Sequence, residues 1–277
     1  MKIPRKIYQS WKDKKLDPKM SAAVENIKKL NPDYEYELHD NIDCRKFILE
    51  NYGINYANAF DTLIPGAFKG DFWRYAILYK YGGVYIDIDM VPFFPLDTMI
   101  GEDDEFISVQ DLHLMSIPNN RIFQAFIACT PRHPIVWYSL QISFSNIVSR
   151  IGGVGPLFVT GPGVMGIAFN LYMKNTNTYT PVYAGRYGNI VLLTHHASGT
   201  IKNLDGKDIM NTKYEGYSRG DHDYGSSAYY VNEPPNVRKI AVISIKVLLI
   251  SIIILLSVIL IYMYKYRKCV NNCNINK

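Results

Sequence analysis

The run Gly82-Gly83-Val84-Tyr85-Ile86-Asp87-Ile88-Asp89 sets two carboxylates two residues apart at the end of an apolar stretch. Read as one extended strand, its period of two sends Val84, Ile86 and Ile88 to one face and Tyr85, Asp87 and Asp89 to the other, so both carboxylates point the same way. Like charges at that spacing repel and lose hydration unless a cation or a shared proton compensates them. A hard divalent ion, Mn²⁺ or Mg²⁺, is the natural partner. Held there, it would neutralise the charge that develops on a diphosphate leaving group, which is what breaking a sugar–phosphate bond requires. Upstream, Asp71 and Arg74 stand three residues apart and share a helix face, with Leu78 one turn further on. Alone, such a pair adds roughly a few tenths of a kcal/mol to a helix; placed before the carboxylate run, it offers an acid and a base to grip sugar hydroxyls and phosphate.

The elements that must position these groups follow from local patterns. Ile3 to Trp11 reads as a strand, and Met20 to Leu30 as a helix whose Met20, Ala23, Val24, Ile27 and Leu30 follow helical spacing until Asn31-Pro32-Asp33. Tyr34 to Leu38 alternates as a strand, Cys44 to Asn51 reads as helical, and Gly66 to Tyr81 is an apolar-rich helix stopped by Gly82-Gly83. Val84 to Asp89 is a strand again. This alternation predicts an α/β fold with a mainly parallel central sheet. Further along, the patterns predict a strand at Glu105 to Val109, helices at Asn119 to Cys129, at Pro134 to Arg150 and up to Met173, and a strand at Ile190 to Thr194.

A chain of 277 residues with 48% hydrophobic and 20% charged content builds a substantial folded domain and is not disordered. Seven of its thirty basic residues lie beyond Val237, where there are no acids, leaving 23 basic against 25 acidic residues before that point. The positive balance therefore belongs to the C-terminal segment, and nucleic-acid binding loses its support. Val247 to Tyr264 carries no charge over eighteen residues and is flanked by Arg238-Lys239 and Lys265 to Lys268. It predicts one transmembrane helix over 240–264, a single-pass C-terminal anchor. The division expected is a catalytic domain over 1–216, a linker rich in Gly, Ser, Tyr and Pro over 217–239, the membrane helix, and a short basic tail over 265–277. No apolar h-region follows Met1, so no secretory signal is read, and the catalytic domain is expected to face the cytosol. The four cysteines, Cys44, Cys129, Cys269 and Cys273, show no zinc spacing.

Several stretches, in this order and spacing, resemble glycosyltransferase family 32 with its DXD sugar-binding region, which includes initiating α-1,6-mannosyltransferases and inositol-phosphoceramide mannosyltransferases. They are Ile3 to Trp11 (IPRKIYQSW), Asn31 to Tyr36 (NPDYEY), Gly70 to Tyr75 (GDFWRY), Leu78 to Asp89 (LYKYGGVYIDID) and Pro95-Leu96-Asp97. Thinner matches follow at Pro131 to Pro134, Thr160-Gly161-Pro162 and His195 to Lys202. The resemblance implies a GT-A type nucleotide-sugar-binding domain and a metal-dependent, retaining transfer of a hexose, with mannose the guess, from a GDP- or UDP-sugar to a glycan or lipid acceptor. It implies catalytic roles for Asp71, Arg74, Asp87 and Asp89, and a donor-binding set of Gln9, Trp11, Asp71, Arg74, Gly83, Tyr85 and Asp87. Trp11 would stack near the base, and His196 would join Asp87 and Asp89 at the metal. Tyr8 stands where the family usually has His, and Thr200-Ile201 where it usually has Ser-Trp.

Two rivals remain. A catalytically inactive, membrane-tethered nucleotide-sugar-binding protein would keep the fold without turnover. A phosphatase of the haloacid-dehalogenase type could also use Asp87-Ile88-Asp89, but needs a second acidic motif; Asp103-Asp104 comes too soon, and Asp221 and Asp223 fall in the expected linker.

Overall fold

The computed structural model describes residues 1–112, 119–151, 155–215 and 229–231. The chain starts with β1 (Lys6–Ser10), then α1 (Pro18–Leu30), which opens on Asp17; that carboxylate accepts from the backbone N–H groups of Lys19 and Met20. Next come β2 (Glu35–His39) and α2 (Asn41–Tyr52), entered through a capping box of Asp40 and Asp43. A short helix that the sequence patterns do not predict, α3 (Ile54–Thr62), precedes α4 (Gly66–Tyr81), whose bounds are those read from the sequence.

Gly82 and Gly83 turn α4 into β3 (Gly83–Ile86) with φ of 64° and 98°. A Cβ on Gly82 would lie 2.6 Å from the Pro131 nitrogen, and one on Gly83 2.7 Å from the Lys6 carbonyl oxygen. Both the left-handed backbone and the close approach of β1 therefore demand glycine. The remaining elements are β4 (Val91–Pro92), β5 (Phe106–Gln110), β6 (Ile122–Cys129), α5 (Pro134–Val148), α6 (Pro162–Tyr172), β7 (Gly185–Tyr187), β8 (Ile190–His195), β9 (Thr200–Lys202) and β10 (Asp208–Asn211).

The strands form one sheet in the order β2-β1-β3-β6-β5-β8-β9-β10-β4, with β7 also on β8. The fold is α/β, but the sheet is mixed, which corrects the expectation of a mainly parallel one. Parallel pairing is confined to β1 with β2, β1 with β3, and β5 with β8. β6 runs antiparallel to both its neighbours, β3 and β5. The eleven residues between Gln110 and Ile122 are fewer than a parallel crossover needs, so β6 returns beside β5 in the opposite direction. A second correction concerns β6 itself, expected as a helix over Asn119 to Cys129. Its run Ile122 to Cys129 is apolar at almost every position because the strand is central and buried on both faces, so it shows neither period.

Those two faces feed two cores. On one, Tyr85, Ile127 and Cys129 pack with Phe72, Trp73 and Ile77 of α4, Leu140 of α5 and Ala168 of α6. On the other, Val84, Ile86, Phe126 and Ala128 pack with Ile27 of α1, Leu96, Ile201 and Met210. Burying each large apolar side chain contributes about 1.5–3 kcal/mol. A compact unit comprises Met1–Val231. Within the stretch expected as linker, Tyr230 is buried and bridges Leu63, and Val231 N–H donates to the Thr62 carbonyl at 2.8 Å. No helix of the described residues is long and apolar enough to cross a membrane. The expected spanning segment 240–264 and the tail 265–277 lie outside the described residues.

The α5 N-terminus carries a pH-sensitive cap. His133 is buried, its Nδ1 accepts from Ile135 N–H at 3.3 Å, and its ring lies 5.1 Å from that of Phe106. Burial pushes its pKa from 6.5 down to about 4, against a partial upward pull from Glu105. The folded state thus binds fewer protons than the unfolded chain between those values, and stability falls as pH drops through that window. Comparison of wild type with His133→Asn, which keeps a cap acceptor but does not titrate, isolates the effect. Urea unfolding is expected to show wild type losing about 2–3 kcal/mol more than the variant between pH 7 and pH 4.5; equal losses would show that the ring is not held neutral.

Candidate functional site

β3 ends at Ile86, which corrects the single strand expected over Val84 to Asp89. Asp87 N–H still donates to the Ala125 carbonyl (2.8 Å), but Met90 N–H then donates back to the Asp87 carbonyl (3.1 Å), closing a turn around Ile88 and Asp89. The carboxylates are thus presented by a strand end and the turn after it, rather than by alternation. The pairing of β3 with β1 ends at Tyr8 opposite Tyr85, although β1 itself runs on to Ser10 against β2. Beyond it the Gln9 side chain takes over. Its Nε2 donates to the carbonyls of Ile86 (3.2 Å) and Asp87 (3.3 Å), and its Oε1 accepts from the Tyr36 hydroxyl (2.7 Å).

Beneath this turn lies a desolvated charge network on α4. Arg74 Nη2 donates to Asp87 Oδ1 at 2.9 Å and stands 3.3 Å from Asp71 Oδ1. Nη1 donates to the Gln124 carbonyl at 2.8 Å, and the guanidinium lies 4.2 Å from the centre of the Tyr85 ring. Asp71 is held in turn by Thr160 Oγ1 at 2.9 Å and by the Gln124 side-chain amide. Burial lifts Asp71 to about 6, opposed chiefly by Arg74. For Arg74 burial acts to release the proton, but Asp87, Tyr85 and Asp71 outweigh it and keep the guanidinium charged. Burial also keeps the Tyr85 phenol protonated, so it donates to Asp87 Oδ1 at 2.7 Å.

Gln124 reaches α4 because β6 is irregular. Between the pairs Ile107 with Ala128 and Val109 with Phe123, five steps of β6 oppose two of β5. Such a bulge re-aims side chains; here it brings Gln124 to Asp71 and the Ala125 carbonyl to Asp87. The reading from sequence missed Gln124, although a polar residue inside the apolar run Ile122 to Cys129 is a signal that could have found it. Thr160 stood in a matching stretch without a role.

A cavity of about 780 Å³ opens above the network. Of the residues expected at a site, it brings together Trp11, Asp71, Arg74, Tyr85, Asp87 and Asp89. Lys12, Lys69, Asp111 and Arg121, which the reading from sequence also missed, share its wall. Gln9 and Gly83 do not line it; they secure the strand end and the β1 approach. His196 does not line it either: it is exposed after β8, with Nδ1 2.8 Å from Ser198 Oγ. Tyr8, at the position where the resemblance has His, is fully buried in the core beside β3.

Among the described residues no group of three or more His, Cys, Asp or Glu gathers to hold a metal ion. Asp87 and Asp89 nevertheless fit a hard divalent cation. Both hydrogen bonds to the Asp87 carboxylate fall on Oδ1, leaving Oδ2 for a ligand, and such ions are commonly held by one or two carboxylates together with substrate phosphates.

Residues 17–107 match the family described as glycosyltransferase sugar-binding region containing DXD motif. The matched span takes in Asp71, Arg74, Asp87 and Asp89. Among curated proteins, the chain is similar to inositol phosphoceramide mannosyltransferase 1 of Schizosaccharomyces pombe, 31% identical over 57% of this chain and 50% of that protein. It is also similar to the initiation-specific alpha-1,6-mannosyltransferase of Candida albicans, 31% identical over 76% of this chain and 49% of that protein. The chain thus spans about half the length of these relatives. Among solved structures, PaToxG glycosyltransferase aligns with a TM-score of 0.47 at 18% identity, over 62% of this chain and 70% of that one.

Proposed function

We propose, from the premise that residues 17–107 belong to the glycosyltransferase sugar-binding regions containing a DXD motif, that this chain is a glycosyltransferase moving a hexose from a nucleotide-sugar donor to a glycan or lipid acceptor. The observation that carries the reading is the buried Asp71–Arg74–Asp87 network at the floor of a cavity that Asp89 also lines. There the Arg74 guanidinium is shared between two carboxylates, Asp71 and Asp87, and the turn that carries Asp87 also presents Asp89 to the cavity, an arrangement that suits a cation delivered with a diphosphate. Mn²⁺ or Mg²⁺ at Asp87 and Asp89 would supply Lewis-acid stabilisation of the diphosphate leaving group.

The chain's own residues do the positioning. Arg74 is locked by four polar contacts and a ring face, so it holds Asp87 in one orientation without reorganisation during reaction. Asp71, held from two further elements through Gln124 and Thr160, is the group placed to accept from donor-sugar hydroxyls. Trp11 and Lys12 lie on the cavity wall, an aromatic face and a cation suited to a base and a phosphate. Retention of configuration, a mannose-like hexose and attachment to a membrane through 240–264, with the domain on the cytosolic side, complete the proposal.

Thermal unfolding of the full chain with UDP- and GDP-sugars, in Mn²⁺ and in EDTA, tests it. A ligand at 100 times its dissociation constant adds about 2.7 kcal/mol to native stability. The expected result is a rise in melting temperature with one nucleotide family that disappears in EDTA, together with slow metal-dependent donor hydrolysis. Binding without turnover would instead indicate a nucleotide-sugar-binding protein, and no shift with any donor would remove the proposal.

A further inference from the structure

The cavity has a second charged pole, away from α4. The β5–β6 register pairs Gln110 with Ile122, and the β5–β8 register pairs Gln110 with Thr194. One step beyond, these three strand ends bring Asp111, Arg121 and His195 together, and Asp111 N–H donates to the Arg121 carbonyl at 3.2 Å. Arg121 Nε lies 3.1 Å from Asp111 Oδ2, and His195 Nδ1 lies 3.6 Å from Asp111 Oδ1. Asp111 and Arg121 face the cavity beside Phe123 and Gln124, while the His195 ring packs 4.5 Å from that of Phe123.

This pole is built at a cost. The side chains of Asp111, Arg121 and His195 are only 13%, 17% and 11% exposed. Desolvating an ion pair is offset by attraction only when its hydrogen bonds are well made. Here they are not: among the described residues neither Arg121 Nε nor His195 Nδ1 has a hydrogen-bond partner, despite the adjacent carboxylate. Arg121 Nη2 is occupied by the Leu112 carbonyl at 3.1 Å, which fixes the guanidinium without satisfying Nε.

We propose that Asp111 and Arg121 form the acceptor subsite and take a neutral ring polyol by a pair of vicinal hydroxyls. The inference rests on the transferase reading for the word acceptor, though not for the polyol chemistry. One hydroxyl donates to a carboxylate and its neighbour accepts from a guanidinium, so a 1,2-diol at the cavity wall engages both members of the pair at once. The flat face of Phe123 suits the C–H side of a sugar ring. Gln124 of β6, three residues after Arg121, belongs to the Asp71 network, so one short segment carries a contact for each substrate.

The test uses the full chain with methyl α-D-mannopyranoside and methyl β-D-galactopyranoside, read by saturation-transfer NMR, alongside the nucleotide–Mn²⁺ thermal shift. Wild type, Asp111→Asn, Arg121→Met and the milder Arg121→Lys are compared, with ligand-free melting to verify folding. At least one glycoside is expected to bind wild type and to bind each folded variant at least tenfold more weakly, while the nucleotide shift is the same in all. The subsite is overturned if neither glycoside binds wild type, if binding survives the substitutions, or if the nucleotide shift falls in parallel. Glycoside binding that behaves as expected in a protein giving no nucleotide shift would count against the transferase and not against the subsite.

Discussion

Replacing Asp89 by alanine is expected to lower glycosyl transfer by about 10²–10³-fold, the scale of losing one preorganised group that stabilises transition-state charge. The fold is expected to survive, with a stability change within about 1 kcal/mol, because a partly buried turn residue outside the apolar cores leaves no core cavity. The distinction from Asp87 is structural. Asp87 accepts from both Arg74 and Tyr85, so Asp87→Ala also strips a buried guanidinium of a partner and is expected to cost stability as well as activity. Asp89 takes no part in either of those bonds. Donor consumption with Mn²⁺, beside calorimetric melting of the two variants, separates these effects; full activity in Asp89→Ala would show that the carboxylate pair is not the reacting centre.

Arg74→Met is expected to be among the most destabilising single substitutions in the domain, at about 3–5 kcal/mol, because it leaves Asp71 buried without its cation. Asp71→Asn should cost much less: Arg74 keeps Asp87, and burial already favours the neutral acid. The double variant is then expected to recover a large part of the Arg74→Met loss, since no unpaired carboxylate remains on the helix. Urea unfolding of the four proteins closes the cycle, and strict additivity would mean that the pair is not energetically coupled. Arg74→Lys should not rescue, because an ammonium cannot reach the Gln124 carbonyl and Asp87 together from one planar fork.

How much of this was legible beforehand depends on the range over which each feature is encoded. The α4 bounds, the Gly82-Gly83 break, the shared face of Asp71 and Arg74 and the nearness of Asp87 to Asp89 are properties of at most sixteen consecutive residues. Helical period, capping and glycine backbone freedom act over such distances, so the amino-acid order alone determined them. The direction of β6 was not legible, since a strand apolar on both faces carries no period to distinguish it from a helix. The end of β3 at Ile86 depended on where its pairing with β1 ends and on the Gln9 amide, 77 residues away, that takes over there. Gln124 and Thr160 at Asp71, Asp111 beside Arg121 and His195, and the distance of His196 from the cavity were decided by sheet order, register and one bulge. Those arise from pairing between segments far apart in the chain, where the free energy of a contact exists only once the tertiary structure has brought its partners together.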